Sequence, residues 1–479
     1  MRSSFARRPV RTATVAAIGA LLGAGLLTAI ACSSNPAEAP ADAGLLDATA
    51  DGGFDTGNAT ILPVDARPPP GTFCSLPGSW VSTATGPEVI PDPSHPFTDL
   101  SWLTLPQGFC AHYFGTVQMT RQLRFAPGGD LFVASPTAGT TGGSNNGIAG
   151  IAILPDDNHD GYADSVITYL SGLPATQGLM FTGGYFYYQG DPQNGDAAPD
   201  HASILRVPFQ AHDRKPSGAP ELVTTITLRQ APEHWPKVMD IAMDGTIYIT
   251  NGSSQGEVCG PNNPPWGTIL RLEVDGSATP VARGFRNPIA LRCETNHNVC
   301  LAAELALDYS GPQGGREKVV PVHDGDDWGY PCCATKDTPF TGVLHPDGAV
   351  PVCSGVAPES EGFIIGETPF GIDFEPGNWP APWTSRAFVT LHGEVTVWHG
   401  SRIVAVALDP TTGLPRNAAD LDGGFDMQAA IDFAKGWDDG RRDHGRPAPV
   451  TFAPDGRLFL GDDYAGKVVW IAPVGLKGP

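Results

Sequence analysis

The sequence predicts an all-β chain folded as a six-bladed β-propeller of four-stranded antiparallel sheets. Three observations predict it: strand–turn–strand units recur along the chain, a further apolar strand follows each unit, and no long stretch carries helical periodicity. Four units are plain: FAPGGDLFVA (Phe125 to Ala134), FTGGYFYYQG (Phe181 to Gly190), AMDGTIYITNG (Ala242 to Gly252) and FAPDGRLFLGDD (Phe452 to Asp463). In each, a glycine turn separates two short strands. A fifth copy, Pro288 to Glu304, turns on ETNHNV, and a sixth, Ile372 to His392, on the longer EPGNWPAPWTSR. The strands that follow are GIAGIAIL, ASILRVPF, GTILRLEV, EKVVPV, RIVAVAL and KVVWIAP. Three or four strands per unit, with 59 glycines for turns, suit a radial array better than a sandwich. The competing architecture has seven or eight blades, with Thr83 to Leu105 or Cys332 to Gly371 supplying a further sheet. Closing the ring requires pairing the N-terminal and C-terminal strands.

The N-terminus is organised differently. Arg2, Arg7, Arg8 and Arg11 precede an uncharged run from Thr12 to Ala31, the pattern of a basic region followed by an apolar export segment. The run ends in Ala29-Ile30-Ala31-Cys32, which resembles a bacterial lipoprotein signal with Cys32 as the acylated residue. Residues 1–31 are then a removable signal peptide, and the competing readings are an uncleaved membrane anchor or a plain secretory signal. Ser33 rather than Asp after Cys32 implies, by the same resemblance, passage to an outer membrane. From 32 to 70 the chain is rich in Ala, Asp, Gly and Pro and poor in aromatics, too little apolar surface to offset the entropy of ordering, and reads as a disordered tether. The propeller occupies 71–479.

Loss of the signal peptide removes four arginines and no acid, taking the formal charge from −22 to −26. Such a surface repels phosphates and excludes nucleic acid as a partner. Eight cysteines remain beyond Cys32, an even number in an exported chain, so disulfides are expected. Spacing favours Cys293 with Cys300 across ETNHNV, and position favours Cys74 with Cys110 at the start of the domain, among many formal pairings. No CxxCH occurs, so the sequence carries no site for covalent c-type haem.

Beyond the hairpins, LPQGFCAHYFG, RQLRFAPGGDLFVA, GFRNPIAL, DGDDWGYPCC, LHGEVTVWHGSR and GRPAPVTFAPDGRLFLGDD together resemble the glucose and sorbosone dehydrogenases that depend on pyrroloquinoline quinone (PQQ). The resemblance runs from about Leu103 to Pro473, with GxRNP, GxxWGYPxC and GRPxxV its most specific parts. It implies oxidation of a sugar or aldehyde by hydride transfer to the quinone, aided by calcium and a histidine base.

Residue by residue, the resemblance places the catalytic base at His234, in HWPKVMDIAMDGTIYITNG. A neutral imidazole takes a hydroxyl proton near pH 7, although most histidines in any chain are structural. Arg286 in GFRNP is the expected cation at the reacting centre, or else a brace for the turn before Pro288. Arg446 in GRPAPV is expected to bind a cofactor carboxylate, and Gln177, beside Thr176, to contact the cofactor, with a register open by one residue. Two positions depart from the glucose-active pattern. Ser253 stands where an aspartate orients the base, and His392 in TLHG stands where a cofactor lysine is expected, which brings the chain nearer the sorbosone branch.

Catalytic calcium is expected in the region 304–308, largely on backbone carbonyls. A second, structural calcium is expected in DDNHDGYAD, where Asp156, Asn158, Asp160 and Asp164 space oxygen ligands around a glycine turn. Without haem, electrons would pass to a separate acceptor. Two other functional classes stay open: a lipid-anchored propeller that has lost the cofactor and serves as a binding scaffold, and a calcium-dependent lactonase-like hydrolase.

Overall fold

The structure is a computed structural model that describes residues 68–137, 147–190, 201–228, 234–253, 258–260, 266–306, 317–341, 343–357, 361–363, 366–393, 399–416, 430–439, 441 and 443–478. The export segment, Cys32 and nearly all of the tether lie outside the described residues. Among the described residues no helix is long and apolar enough to cross a membrane.

Six antiparallel sheets form the blades, and each begins at its inner strand with one of the hairpins read from the sequence. Blade 1 runs Gln122–Phe125, Leu131–Ser135, Gly150–Leu154 and Ile167–Ser171; blade 2 runs Leu179–Thr182, Tyr185–Gly190, His201–Pro208 and Glu221–Thr227. Blade 3 is Met239–Ile241, Ile247–Asn251, Thr268–Leu272 and Ala278–Arg283, and blade 4 is Asn287–Cys293, Cys300–Leu305, Glu317–Pro321 and Glu361–Phe363. Blade 5 is Pro369–Phe374, Arg386–Leu391, Arg402–Ala407 and Ala430–Lys435. Blade 6 takes Pro447–Phe452, Leu458–Asp462 and Lys467–Pro473 from the C-terminus and Phe109–Thr116 from the N-terminus, which closes the ring.

The segments that might have made extra blades do not. Trp80–Thr83 and Gly86–Val89 extend the outer edge of blade 6, and Cys333–Thr335 with Thr338–Pro339 is a two-stranded ribbon. The Cys74–Cys110 disulfide ties the entry of the domain to the closing strand, and Cys293–Cys300 staples the blade 4 hairpin. The sequence did not indicate the other two pairs, Cys259–Cys332 and Cys333–Cys353.

Burial explains the sequence pattern. Middle strands are covered on both faces by neighbouring blades, so Leu131–Ser135 and Gly150–Leu154 are buried throughout and read as continuous apolar runs. Outer strands meet solvent, and Glu221–Thr227 alternates. Aromatic clusters wedge adjacent blades apart by their bulk: Phe132, Tyr169, Phe181 and Phe186 between blades 1 and 2, and Trp379, Phe388, Phe433 and Phe452 between blades 5 and 6. Their rings meet mostly edge to face, the arrangement their quadrupoles favour. The tight hairpin turns place Gly245 and Gly456 at φ of 90° and 91°, where a side chain would be strained.

The inner strands surround a channel that is largely filled. Arg124 and Arg292 reach Asp240 at 3.0 and 3.2 Å, Arg292 also meets Asp373 at 2.6 Å, and Thr451 donates to Asp373 at 3.0 Å. With the Arg124 bond to the Leu179 carbonyl, this network links all six inner strands. The cavity left is about 30 Å³, room for about one water. The centre of the ring therefore acts as a floor and not as a pore.

Candidate active site

Strand order alone gathers the candidate residues. Each inner strand begins beside the end of its blade's second strand, as in the pairs Gln122↔Ala134, Met239↔Ile249, Asn287↔Leu305 and Pro369↔Leu391. Residues just before an inner strand and just after a second strand therefore collect at one mouth of the channel. Before inner strands stand Arg121, Gln177, His234, Arg286 and Arg446; after second strands stand Ser253, Ala306, His392 and Asp463. All five residues that the sequence assigns to catalysis or cofactor binding share this mouth.

They form two groups. In the first, buried Asp463 is a shared acceptor: its Oδ1 takes hydrogen bonds from Arg446 Nε and His392 Nε2, both at 3.0 Å, and its Oδ2 lies 3.4 Å from Arg121 Nη2. Burial alone would raise the Asp463 carboxyl, but Arg446, His392 and Arg121 hold it well below the usual range. His392 is lowered to about 4, by burial first and then by Arg446, against the pull of Asp463. It is therefore a neutral Nε2–H donor at pH 7. Two guanidiniums and one carboxylate leave a net positive charge under this side of the mouth. The Phe370 ring packs between them, 5.1 Å from the Arg121 guanidinium and 4.5 Å from the His392 ring.

The second group surrounds His234, which is 8 % exposed. Its Nδ1 lies 2.6 Å from the carbonyl oxygen of Ser253. A carbonyl only accepts, so Nδ1 carries the hydrogen and Nε2 keeps the lone pair. The missing aspartate is thus replaced by main chain. Ser253 is itself held by Arg286, whose carbonyl accepts from Ser253 N at 2.8 Å and from its Oγ at 3.1 Å. Arg286 N donates to Glu304 Oε1 at 2.8 Å, and its Nη1 to the Ala306 carbonyl at 2.5 Å. Burial, and then the charge of Arg286, lowers the His234 imidazole to about 3. The GxRNP motif therefore does two things: its arginine sets the local charge, and its main chain orients the loop that orients the His234 ring.

Gln177 is buried, lines the upper channel cavity beside Arg121, and its Oε1 has no hydrogen-bond partner among the described residues; the hydroxyl of neighbouring Thr176 has none either. Glu304 and Ala306, from the region expected to hold calcium, lie at the mouth, and 307–316 lies outside the described residues.

The acidic loop is elsewhere, after the third strand of blade 1. Asp160 Oδ1 accepts from Tyr162 N and its Oδ2 from Asn158 Nδ2, Asn158 Oδ1 accepts from Asp160 N, and Asp164 accepts from Asp157 N at 2.6 Å. Asp156 faces Arg457 at 3.8 Å. These side chains brace the turn, and among the described residues their carboxylates are not gathered as a metal-ready group. The one such group is Cys259, Cys332 and His345, whose two sulfurs are joined to each other.

Sequence reasoning missed Arg121 and Asp463. The signal was present: once the six hairpins are superposed, the positions flanking the inner and second strands form one set, and these residues occupy it.

No protein-family model matches the sequence, and no curated protein does. Solved structures do resemble the fold. The calcium structure of a family AA12 carbohydrate-active enzyme from Trichoderma reesei superposes with a TM-score of 0.62 at 16 % identity, covering 78 % of this chain and 97 % of that one. The holo PQQ domain of pyranose dehydrogenase from Coprinopsis cinerea gives 0.60 at 16 % identity, over 80 % and 98 %. The apo soluble aldose sugar dehydrogenase of Escherichia coli gives 0.55 at 13 % identity, over 76 % and 99 %. These likenesses establish a shared fold.

Proposed function

We propose that this protein is a PQQ- and calcium-dependent dehydrogenase that oxidises a sugar or aldehyde outside the cytoplasm, nearer the sorbosone type than the glucose type. The observation that carries this reading is His234 at the channel mouth, its Nδ1 hydrogen committed to the Ser253 carbonyl and its Nε2 lone pair kept, with Arg286 beside it. The structural neighbours, a pyranose dehydrogenase PQQ domain and an aldose sugar dehydrogenase, support the same chemistry.

The donors at the mouth suit an anionic, carboxylate-bearing quinone. Arg446 and Arg121 offer guanidiniums with one net positive charge after Asp463, and Gln177 and Thr176 hold buried polar atoms that lack a partner among the described residues. Glu304 supplies a buried carboxylate oxygen of the kind calcium takes. When bound, the quinone accepts a hydride and calcium polarises its carbonyl.

The chain's own part is proton transfer and placement. His234 Nε2 receives the substrate hydroxyl proton, and the Ser253 carbonyl holds the ring in the tautomer that allows it. An imidazole near 3 is a weak base, but an anionic group seated by Arg286 offsets the guanidinium and moves His234 back up. Arg286 places a fixed positive charge where negative charge develops. Electrons then leave to a separate acceptor, and Cys32, acylated, anchors the domain at the cell envelope.

One observation favours the cofactor-less scaffold. Arg446, Arg121 and His392 already share Asp463, so part of the mouth's positive charge is internally compensated. The test separates the two. Full-length protein in mild detergent is titrated with PQQ and calcium, and dye reduction is followed with a panel of aldoses and aldehydes. Saturable binding, with turnover that His234→Ala abolishes, establishes the dehydrogenase; no binding at micromolar cofactor with calcium present overturns it.

A further inference from the structure

The turn that carries His234 is not part of any strand, yet it is buried, and its main-chain polar groups must find partners. Two side chains supply them. Lys237 Nζ donates to the carbonyls of His234 and Pro236, both at 3.3 Å. Gln189, at the end of the second strand of blade 2, donates from Nε2 to the Trp235 carbonyl at 3.2 Å and accepts from Lys237 N at 2.8 Å. The three carbonyls from 234 to 236 and the amide of 237 are thereby satisfied, and Pro236 has no amide to satisfy. Lys237 is fully buried and Gln189 is 1 % exposed.

Two glycines let the turn sit this close. A Cβ on Gly178 of blade 2 would stand 2.3 Å from the Lys237 carbonyl oxygen, and a Cβ on Gly252 of blade 3 would stand 2.6 Å from His234 Cβ. The histidine turn is thus clamped between neighbouring blades, with main chain against it on both sides.

We infer that Lys237 and Gln189 are positioning residues for the proton-transfer step: together they fix the His234 turn so that Nδ1 stays on the Ser253 carbonyl and Nε2 faces the reacting hydroxyl. This rests on the dehydrogenase reading for its kinetic consequence, but not for its geometry. Burying a lysine whose acceptors are two carbonyls is costly, and burial lowers its ammonium to about 7. Packing alone would be better served by an aliphatic side chain.

The test uses full-length protein labelled with ¹⁵N-histidine, compared as wild type, Lys237→Met and Gln189→Leu. In the wild type the His234 ring is expected in the single Nδ1–H tautomer. Either substitution is expected to bring it into exchange between tautomers, and, in the PQQ- and calcium-loaded enzyme, to lower kcat and kcat/KM together by about 100-fold, the scale of a misplacement near 1 Å. A single tautomer and wild-type kcat in both variants, with only a lowered melting temperature, would overturn the inference. Should Lys237→Met not fold, Gln189→Leu decides it alone, since it removes the clamp from the opposite blade. Absence of any turnover in the wild type would count against the dehydrogenase reading and leave the tautomer measurement as the test of the clamp.

Discussion

Asp463→Asn isolates the charge that organises one half of the mouth. The substitution keeps the shape and leaves an amide oxygen to accept from Arg446 and His392, so what is lost is the counter-ion for Arg446 at 3.0 Å and Arg121 at 3.4 Å. At an effective dielectric near 20, each contact is worth about 5 kcal/mol before desolvation is counted. Breaking a buried pair from one side typically costs about 3–5 kcal/mol, and the retained hydrogen bonds put this variant near the lower end, at about 3 kcal/mol. Domain stabilities of about 5–15 kcal/mol leave it folded. Urea unfolding of the full-length protein measures the loss. The same variant removes the Asp463 charge from beside two guanidiniums, so a tricarboxylate such as citrate is expected to stabilise Asp463→Asn more than wild type. A loss below about 0.5 kcal/mol together with no differential response to citrate would refute the shared-acceptor account, because surface-like substitutions fall in that range.

Three further outcomes are expected. Ser253→Ala leaves the tautomer and pH profile of His234 unchanged, since the contact is to a main-chain carbonyl; histidine NMR and the pH dependence of kcat/KM check it. Stability falls on acidification between about pH 6.5 and 4: His392 is lowered to about 4 in the folded protein, so the unfolded chain binds the extra proton across that window, and full loss below it is about 3 kcal/mol. Denaturation at pH 7 and pH 4.5, with His392→Gln as the control that removes this histidine's share of the slope and leaves that of buried His234 and His112, reads this out. Removing Cys74–Cys110, which spans 36 residues, destabilises more than removing Cys293–Cys300, which spans 7, by about 1.5 kcal/mol from loop entropy; paired Cys→Ala variants compared by urea unfolding give the difference.

The sequence by itself marked the six blades, and the sheet topology removed the seven- or eight-bladed alternative. Every blade begins with a hairpin that sequence marks by a turn flanked by short strands, and the third strands are legible because burial on both faces makes them unbroken apolar runs. Both disulfides it singled out join residues that are near in sequence or share the domain's entry. Cys259–Cys332 escaped it because the excursion between the third and fourth strands of blade 4 has to cross back to blade 3 before those sulfurs meet, whereas Cys333–Cys353 closes a loop within that excursion, where no hairpin marks the pairing.

The candidate site was legible as residue types at positions, not as partnerships. His234, Arg286, Arg446, His392 and Gln177 each stand at a strand end, which sequence marks well. That His392 is spent on Asp463, that Ser253 serves through its carbonyl, and that Lys237 and Gln189 meet from different blades depend on which strand ends the ring brings together. Local pattern is set by the two-residue alternation of a strand and the φ preferences of its turn, both readable over ten residues. The mouth is set by closure of the ring over some 360 residues, and only the folded chain decides which six ends share it.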